Sequence, residues 1–220
     1  MSDPKNGVLD PWGMAWVHQV YRREFGLAPS LVRKSAAGDR ERATRVAEHV
    51  TDMALSLQEH HENEDSILWP RLLERTGSDS SVVQRMEQEH EELHKLLVRT
   101  FELADSWRED PTAENGDALA SHLDRLSAAS NEHMADEEAN LMPLVRQHIT
   151  QQEWLEFESR GAESIPPEKA LMFLGMGLED ATPHEREKFL GVLPPEVIQM
   201  WEQTGAHEYE RLRSELLGMS

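Results

Sequence analysis

An eleven-residue pattern occurs twice in this chain and limits what it can fold into. His60-His61-Glu62-Asn63-Glu64-Asp65-Ser66-Ile67-Leu68-Trp69-Pro70 is followed 73 residues later by His133-Met134-Ala135-Asp136-Glu137-Glu138-Ala139-Asn140-Leu141-Met142-Pro143. Each copy has His, then Glu four on, Leu eight on and Pro ten on. Upstream, Ala47, His49 and Glu59 match Ala120, His122 and Glu132, and single histidines precede the two copies at His18 and His90, 42 and 43 residues earlier. Two halves, each offering His, His and Glu, point to two metal ions or to one shared site on a pseudo-twofold axis.

The chain is long enough, at 220 residues, to bury a core in one domain with an appendage. It has no cysteine, which excludes disulfides, thiolate zinc sites and iron–sulfur ligation by its own side chains. Its net charge of −20 disfavours nucleic acid and anionic membranes as partners, since both need Lys and Arg to neutralise phosphate. No secretory signal and no membrane-spanning run is visible, so the cytoplasm is the expected location.

Apolar spacing predicts an all-α fold. Residues 1–11 read as an irregular arm, with Asp10-Pro11 as the N-cap and N1 of a first helix carrying Met14, His18, Tyr21 and Phe25 inward. Gly26, Pro29 and Gly38 should break that helix. Val46, Val50, Met53, Leu57, His60, Glu64 and Ile67 form one seam of a helix over 39–75, so His60 and Glu64 occupy positions where Leu or Val would otherwise sit. Helices over about 80–108 and 117–148 follow, the second repeating the same seam through His133 and Glu137. Pro70 and Pro143 should kink or end their helices just past the polar cluster. The expected architecture is an up-down-up-down four-helix bundle over 12–148 with a C-terminal helical extension over 149–220.

Buried ionisable side chains are costly unless they are paired or bind a metal. His18, His60, Glu64, His90, His133 and Glu137 fall on seam positions of four helices and can meet at one level. Residues i and i+4 stack on one helix face, so each His-x-x-x-Glu pair can ligate one metal and bridge to a second. Imidazole suits iron, zinc, copper and nickel, and bridging carboxylates favour a dinuclear iron or manganese centre. A nitrogen-rich centre of this kind suits reversible O2 binding better than substrate oxidation. His94, four after His90, breaks the symmetry, since its counterpart Arg22 cannot ligate. With His94 bound, one metal has three histidines and the other, with two, keeps an open position; without it both stay open. Glu138 rivals Glu137 as a bridge. His61, one residue off the seam, reads as a neighbour of the ligands or a surface residue, and His49 and His122 lie about 16 Å along their helices from the ligand level.

At these residues the chain resembles the hemerythrin family, in particular bacterial hemerythrin-like proteins with an HHE cation-binding domain. The resemblance covers roughly residues 12–148, and the tail prolines Pro166-Pro167 and Pro194-Pro195 are similar to those of extended actinobacterial members. It implies a non-haem centre of two iron ions (Fe-O-Fe), with His18 and His60 on one iron, His90, His94 and His133 on the other, and Glu64 and Glu137 between them. Two classes of function follow. One is binding of O2 or NO at the open iron. The other is a stress-defence enzyme that decomposes hydrogen peroxide or reduces NO, with Tyr21 as a candidate donor of a proton or electron. A metal-stabilised interaction module is a third reading. The oligomeric state is not legible.

Overall fold

In the computed structural model, which describes residues 9–77, 80–191 and 193–219, every regular element is helical. The helix α1 spans Trp12–Arg33, α2 Arg40–Asn63, α3 Trp69–Thr76, α4 Ser80–Glu109, α5 Ala113–Asp136, α6 Met142–His148 and α7 Gln151–Glu163. Four further helices follow: α8 Ala170–Glu179, α9 Pro183–Leu190, α10 Pro195–Met200 and α11 Ala206–Leu217. None of the described helices is long and apolar enough to cross a membrane.

The expected arm falls, for residues 1–8, outside the described residues. α1 begins at Trp12 with Pro11 at its N-cap position, one residue later than the sequence suggests. It does not break at Gly26 or Pro29; it continues to Arg33. Proline removes one backbone hydrogen bond, but Phe25, Ala28, Leu31 and Val32 are buried around it, and that packing holds the last two turns in register. Asp39 caps α2 by accepting from the Arg42 N–H, and Thr112 caps α5 by accepting from Asn115. Between them, Gly38 takes φ +85° and donates its N–H to the Pro111 carbonyl, joining the two helix starts.

The long helices pack in a ring: α1 against α2 and α5, and α4 against α2 and α5. Each of α2 and α5 therefore has one side toward α1 and another toward α4. The prolines of the repeat neither end nor sharply divide these helices. Glu64–Leu68 and Glu137–Leu141 are π-helical, and the Trp69 and Met142 N–H groups bond back five residues to the Glu64 and Glu137 carbonyls. Pro70 and Pro143 have no N–H for the ordinary i→i−4 bond, and widening by one residue resolves this within a continuous helix. The extra residue turns Ile67, Leu68 and Trp69 all into one apolar cluster with Leu72, Val83, Met86, Leu141 and Val145, which closes one end of the ring.

The first compact unit runs to Ser164. Trp154 and Phe157 of α7 join the apolar cluster, and the buried Asn63 amide donates to the Phe157 carbonyl at 3.0 Å. Glu153 closes a capping box with Thr150 and takes a bidentate pair from Arg75. Residues 165–220 form a second unit. Within it, Gly175 lies directly beneath the Tyr209 ring, where a Cβ would collide, and the Tyr209 hydroxyl donates to Glu179 at 2.6 Å.

Candidate metal centre

Two groups of ligand-type atoms converge inside the ring, each with its atoms within 4.8 Å of one another: His18, His60, Glu64 and Glu137 in one, His61, His90 and His133 in the other. The helices explain the grouping. His60 and His61 are consecutive, hence about 100° apart around α2. His60 turns toward α1, its Nε2 3.3 Å from that of His18, and His61 turns toward α4, its ring stacked 4.2 Å from that of His90. His133 of α5 meets His90, with their Nε2 atoms 3.2 Å apart.

Glu64 lies between the groups. One of its carboxylate oxygens is 3.3 Å from His60 Nε2 and the other 3.5 Å from His90 Nε2. Glu137 faces both sides as well, with one oxygen 3.3 Å from His18 Nε2 and 4.0 Å from His133 Nε2. Both carboxylates are fully buried, and none of their four oxygens accepts a hydrogen bond among the described residues.

The outer nitrogens decide what the inner ones can do. His18 Nδ1 is 2.8 Å from Glu138, His90 Nδ1 2.8 Å from Asp65 and His133 Nδ1 2.9 Å from Glu89. An ionised carboxylate only accepts, so each Nδ1 carries the hydrogen and each Nε2 presents a lone pair to the centre. Two of the three carboxylates come from the residue after a buried glutamate of the centre, Asp65 after Glu64 and Glu138 after Glu137, so the pseudo-twofold extends to the anchors. Glu138 is thus an anchor with a partly exposed side chain, and it also takes a 2.8 Å bond from Arg22. Burial opposes its ionisation, but the bonds from His18 and Arg22 bring its pKa down to about 2.

Without a cation this arrangement opposes itself: lone pairs face carboxylates, and two carboxylates face each other with no Lys or Arg between them. Burial, and then the neighbouring Glu137, push the Glu64 carboxyl well above its ordinary range. Burial, reinforced by the other histidines, holds the His60 and His61 imidazoles well below theirs and brings His133 down to about 3. The neutral imidazoles are in the protonation state that a metal requires, and the proton that burial keeps on Glu64 would be released on binding. The donor set therefore fits a divalent cation in each group, with Glu64 and Glu137 shared.

His18, His60, Glu64, His90, His133 and Glu137 are thus brought together. His94 is not: its side chain is exposed. Four residues advance a helix by 400°, 40° beyond His90, and Leu93 and Leu97 hold the buried seam of α4. His61 stands where His94 was expected, and sequence reasoning missed it because the repeat has Met134 at the matching position. The available signal was the doubled His60-His61 on a helix flanked on two sides. His49 and His122 pair elsewhere: His49 Nε2 lies 3.0 Å from Glu24, and His122 Nε2 donates to the Leu96 carbonyl at 2.9 Å.

A family model for the hemerythrin HHE cation binding domain matches residues 17–145. That span holds all seven converging side chains and more than half of the chain, which therefore belongs to the hemerythrin HHE family of cation-binding domains. No curated protein and no solved structure matches the chain.

Glu138→Gln and Asp65→Asn should each weaken metal binding about ten- to hundred-fold with the helical content unchanged, because the freed imidazole loses its tautomer and orientation. Titration against a competing chelator measures this, and affinity equal to that of the unaltered chain would contradict the anchoring role.

Proposed function

We propose that the chain is a non-haem di-iron protein that binds O2 or NO inside an up-down-up-down four-helix bundle. The observation that carries this reading is the Glu64 carboxylate, whose two oxygens face histidines of different groups. His18 and His60 would hold one iron and His61, His90 and His133 the other, with Glu64 and Glu137 shared. Iron bound there would supply redox-linked binding of a small diatomic ligand. The two-histidine side has one imidazole fewer, so the room for a ligand lies beside His18 and His60.

The surrounding residues favour binding over turnover. Ile67, Met86 and Leu141 are buried in the apolar cluster that closes one end of the ring and keep that side of the centre apolar. Tyr21, the candidate donor for an enzymatic reaction, packs its ring 5.6 Å from that of His60. Its hydroxyl donates to the Ser56 carbonyl at 3.0 Å, and burial raises its pKa, so the proton is held away from the centre. Tyr21 thereby positions His60.

The test is a visible spectrum of the anaerobic, ferrous-loaded protein before and after O2. A charge-transfer band that forms with O2 and leaves under vacuum is expected. Immediate irreversible oxidation, with rapid loss of added hydrogen peroxide, would instead support the peroxide-decomposing enzyme.

A further inference from the structure

A cavity of about 630 Å3 opens from solvent between α2 and α4 and reaches His61 and His90. We propose that it is the entry path by which hydrated divalent cations reach the three-histidine side of the centre. This rests on the metal-binding reading above.

The lining sets the class of traveller. Glu62, Asp65, Glu87 and Glu91 face the cavity, against a single lysine, Lys95. The Lys95 ammonium is drawn to Glu92 at 2.6 Å, which offsets its charge. Of the apolar side chains, Leu97 is the one in the lining. A neutral diatomic gains nothing from carboxylates, whereas a divalent cation in a cleft of one sign is concentrated and steered inward. His94 also lines the cavity, one turn along α4 from His90, and offers an exposed imidazole on the way.

At the inner end the path meets a ligand that lacks a partner. His61 is 95% buried, lines the cavity, and its Nε2 has no hydrogen-bond partner among the described residues. Asp65, at 45% side-chain exposure, is both wall and anchor: one oxygen takes the His90 Nδ1 hydrogen, and the other is left to meet an incoming ion. Glu64 and Glu137 are wholly buried, so an ion reaching them has to pass some such polar route.

The test follows Co2+ uptake by the metal-free full chain, using stopped-flow visible absorption at about 10 mM salt, where charge steering is least screened. Two triple variants remove equal charge: Glu62→Gln/Glu87→Gln/Glu91→Gln in the cavity, and Glu109→Gln/Glu114→Gln/Asp117→Asn at the α4–α5 connection and the start of α5, on exposed sites. The cavity variant should load about ten-fold or more slowly, lose most of the salt dependence of the rate, and reach the same final Co2+ content. The distant variant should load like the unaltered chain. Equal rates in all three proteins, equal slowing in both variants, or a lower final content in the cavity variant would overturn the entry path. An unaltered chain that takes up no Co2+ would overturn the metal-binding reading itself.

Discussion

His133→Ala is expected to lower the iron content from two per chain to one or none, while His122→Ala leaves it at two. The two residues sit on the same helix and both are buried, so helix propensity and burial do not separate them. Their surroundings do. His133 Nε2 lies 3.2 Å from His90 Nε2 beside the shared carboxylates, and its Nδ1 is held at 2.9 Å by Glu89. His122 is already satisfied by the Leu96 carbonyl and Thr100. Truncating His133 removes one of three imidazoles on its side and leaves Glu64 and Glu137 with less positive charge to meet. Metal analysis on desalted protein, with circular dichroism to confirm that both variants keep their helices, reads this out directly. Equal iron in the two variants would remove His133 from the centre.

Glu64→Gln should have opposite effects on the two forms of the protein. In the metal-free form the Glu64 carboxyl is fully buried beside Glu137 and its pKa is raised well above 4.5. The folded chain therefore keeps a proton that the unfolded chain releases near pH 4.5, and this contribution to stability is lost as pH rises through and beyond that range. A neutral amide removes the repulsion and can donate to Glu137, so the metal-free variant should be more stable than the unaltered chain at pH 7 by about 1–3 kcal/mol. The histidines act at the other end of the scale. Their pKa values are depressed in the folded state, so the unfolded chain takes up protons first, and stability falls as pH drops from about 6.5 toward the value of about 3 reached by His133. The substitution leaves that acid limb in place. Loaded protein should show the reverse order, because metal bound to the folded chain alone stabilises it by about 4 kcal/mol at a thousand-fold excess over Kd, and the variant has lost a shared ligand. Thermal melts of both proteins, with and without metal, check the crossover. A metal-free variant less stable than the unaltered chain would contradict it.

The duplicated segment points to most of the side chains that the structure brings together in the candidate centre. His60, Glu64, His133 and Glu137 replace apolar residues in a regular seam, and seam spacing translates directly into a shared inward face. What spacing does not encode is which neighbour each face meets. His61 leaves the seam of α2, yet a helix with α1 on one side and α4 on another has two inward faces, and a residue 100° away belongs to the second. His94 lies outside the converging group for the converse reason: one residue past Leu93, it turns out of the buried stripe. Pro70 and Pro143 read as breaks from local chemistry alone, and the π-helical solution depends on the apolar cluster that the extra residue completes. Pro29 is similar, since tertiary packing around Ala28 and Leu31 outweighs one missing hydrogen bond. The role of α7 could not be read from residues 150–164 by themselves, because its attachment rests on Asn63, Arg71 and Arg75, about 80 to 90 residues earlier.

The sharing of one pair of buried carboxylates by two metal ions is a proposal. It is tested most directly by loading the metal-free chain anaerobically with ferrous iron, counting iron per chain, and measuring Mössbauer spectra after oxidation. Two irons per chain whose spins are coupled to a diamagnetic ground state are the expected result. A single iron per chain, or two irons that remain magnetically independent, would show that Glu64 and Glu137 do not join them.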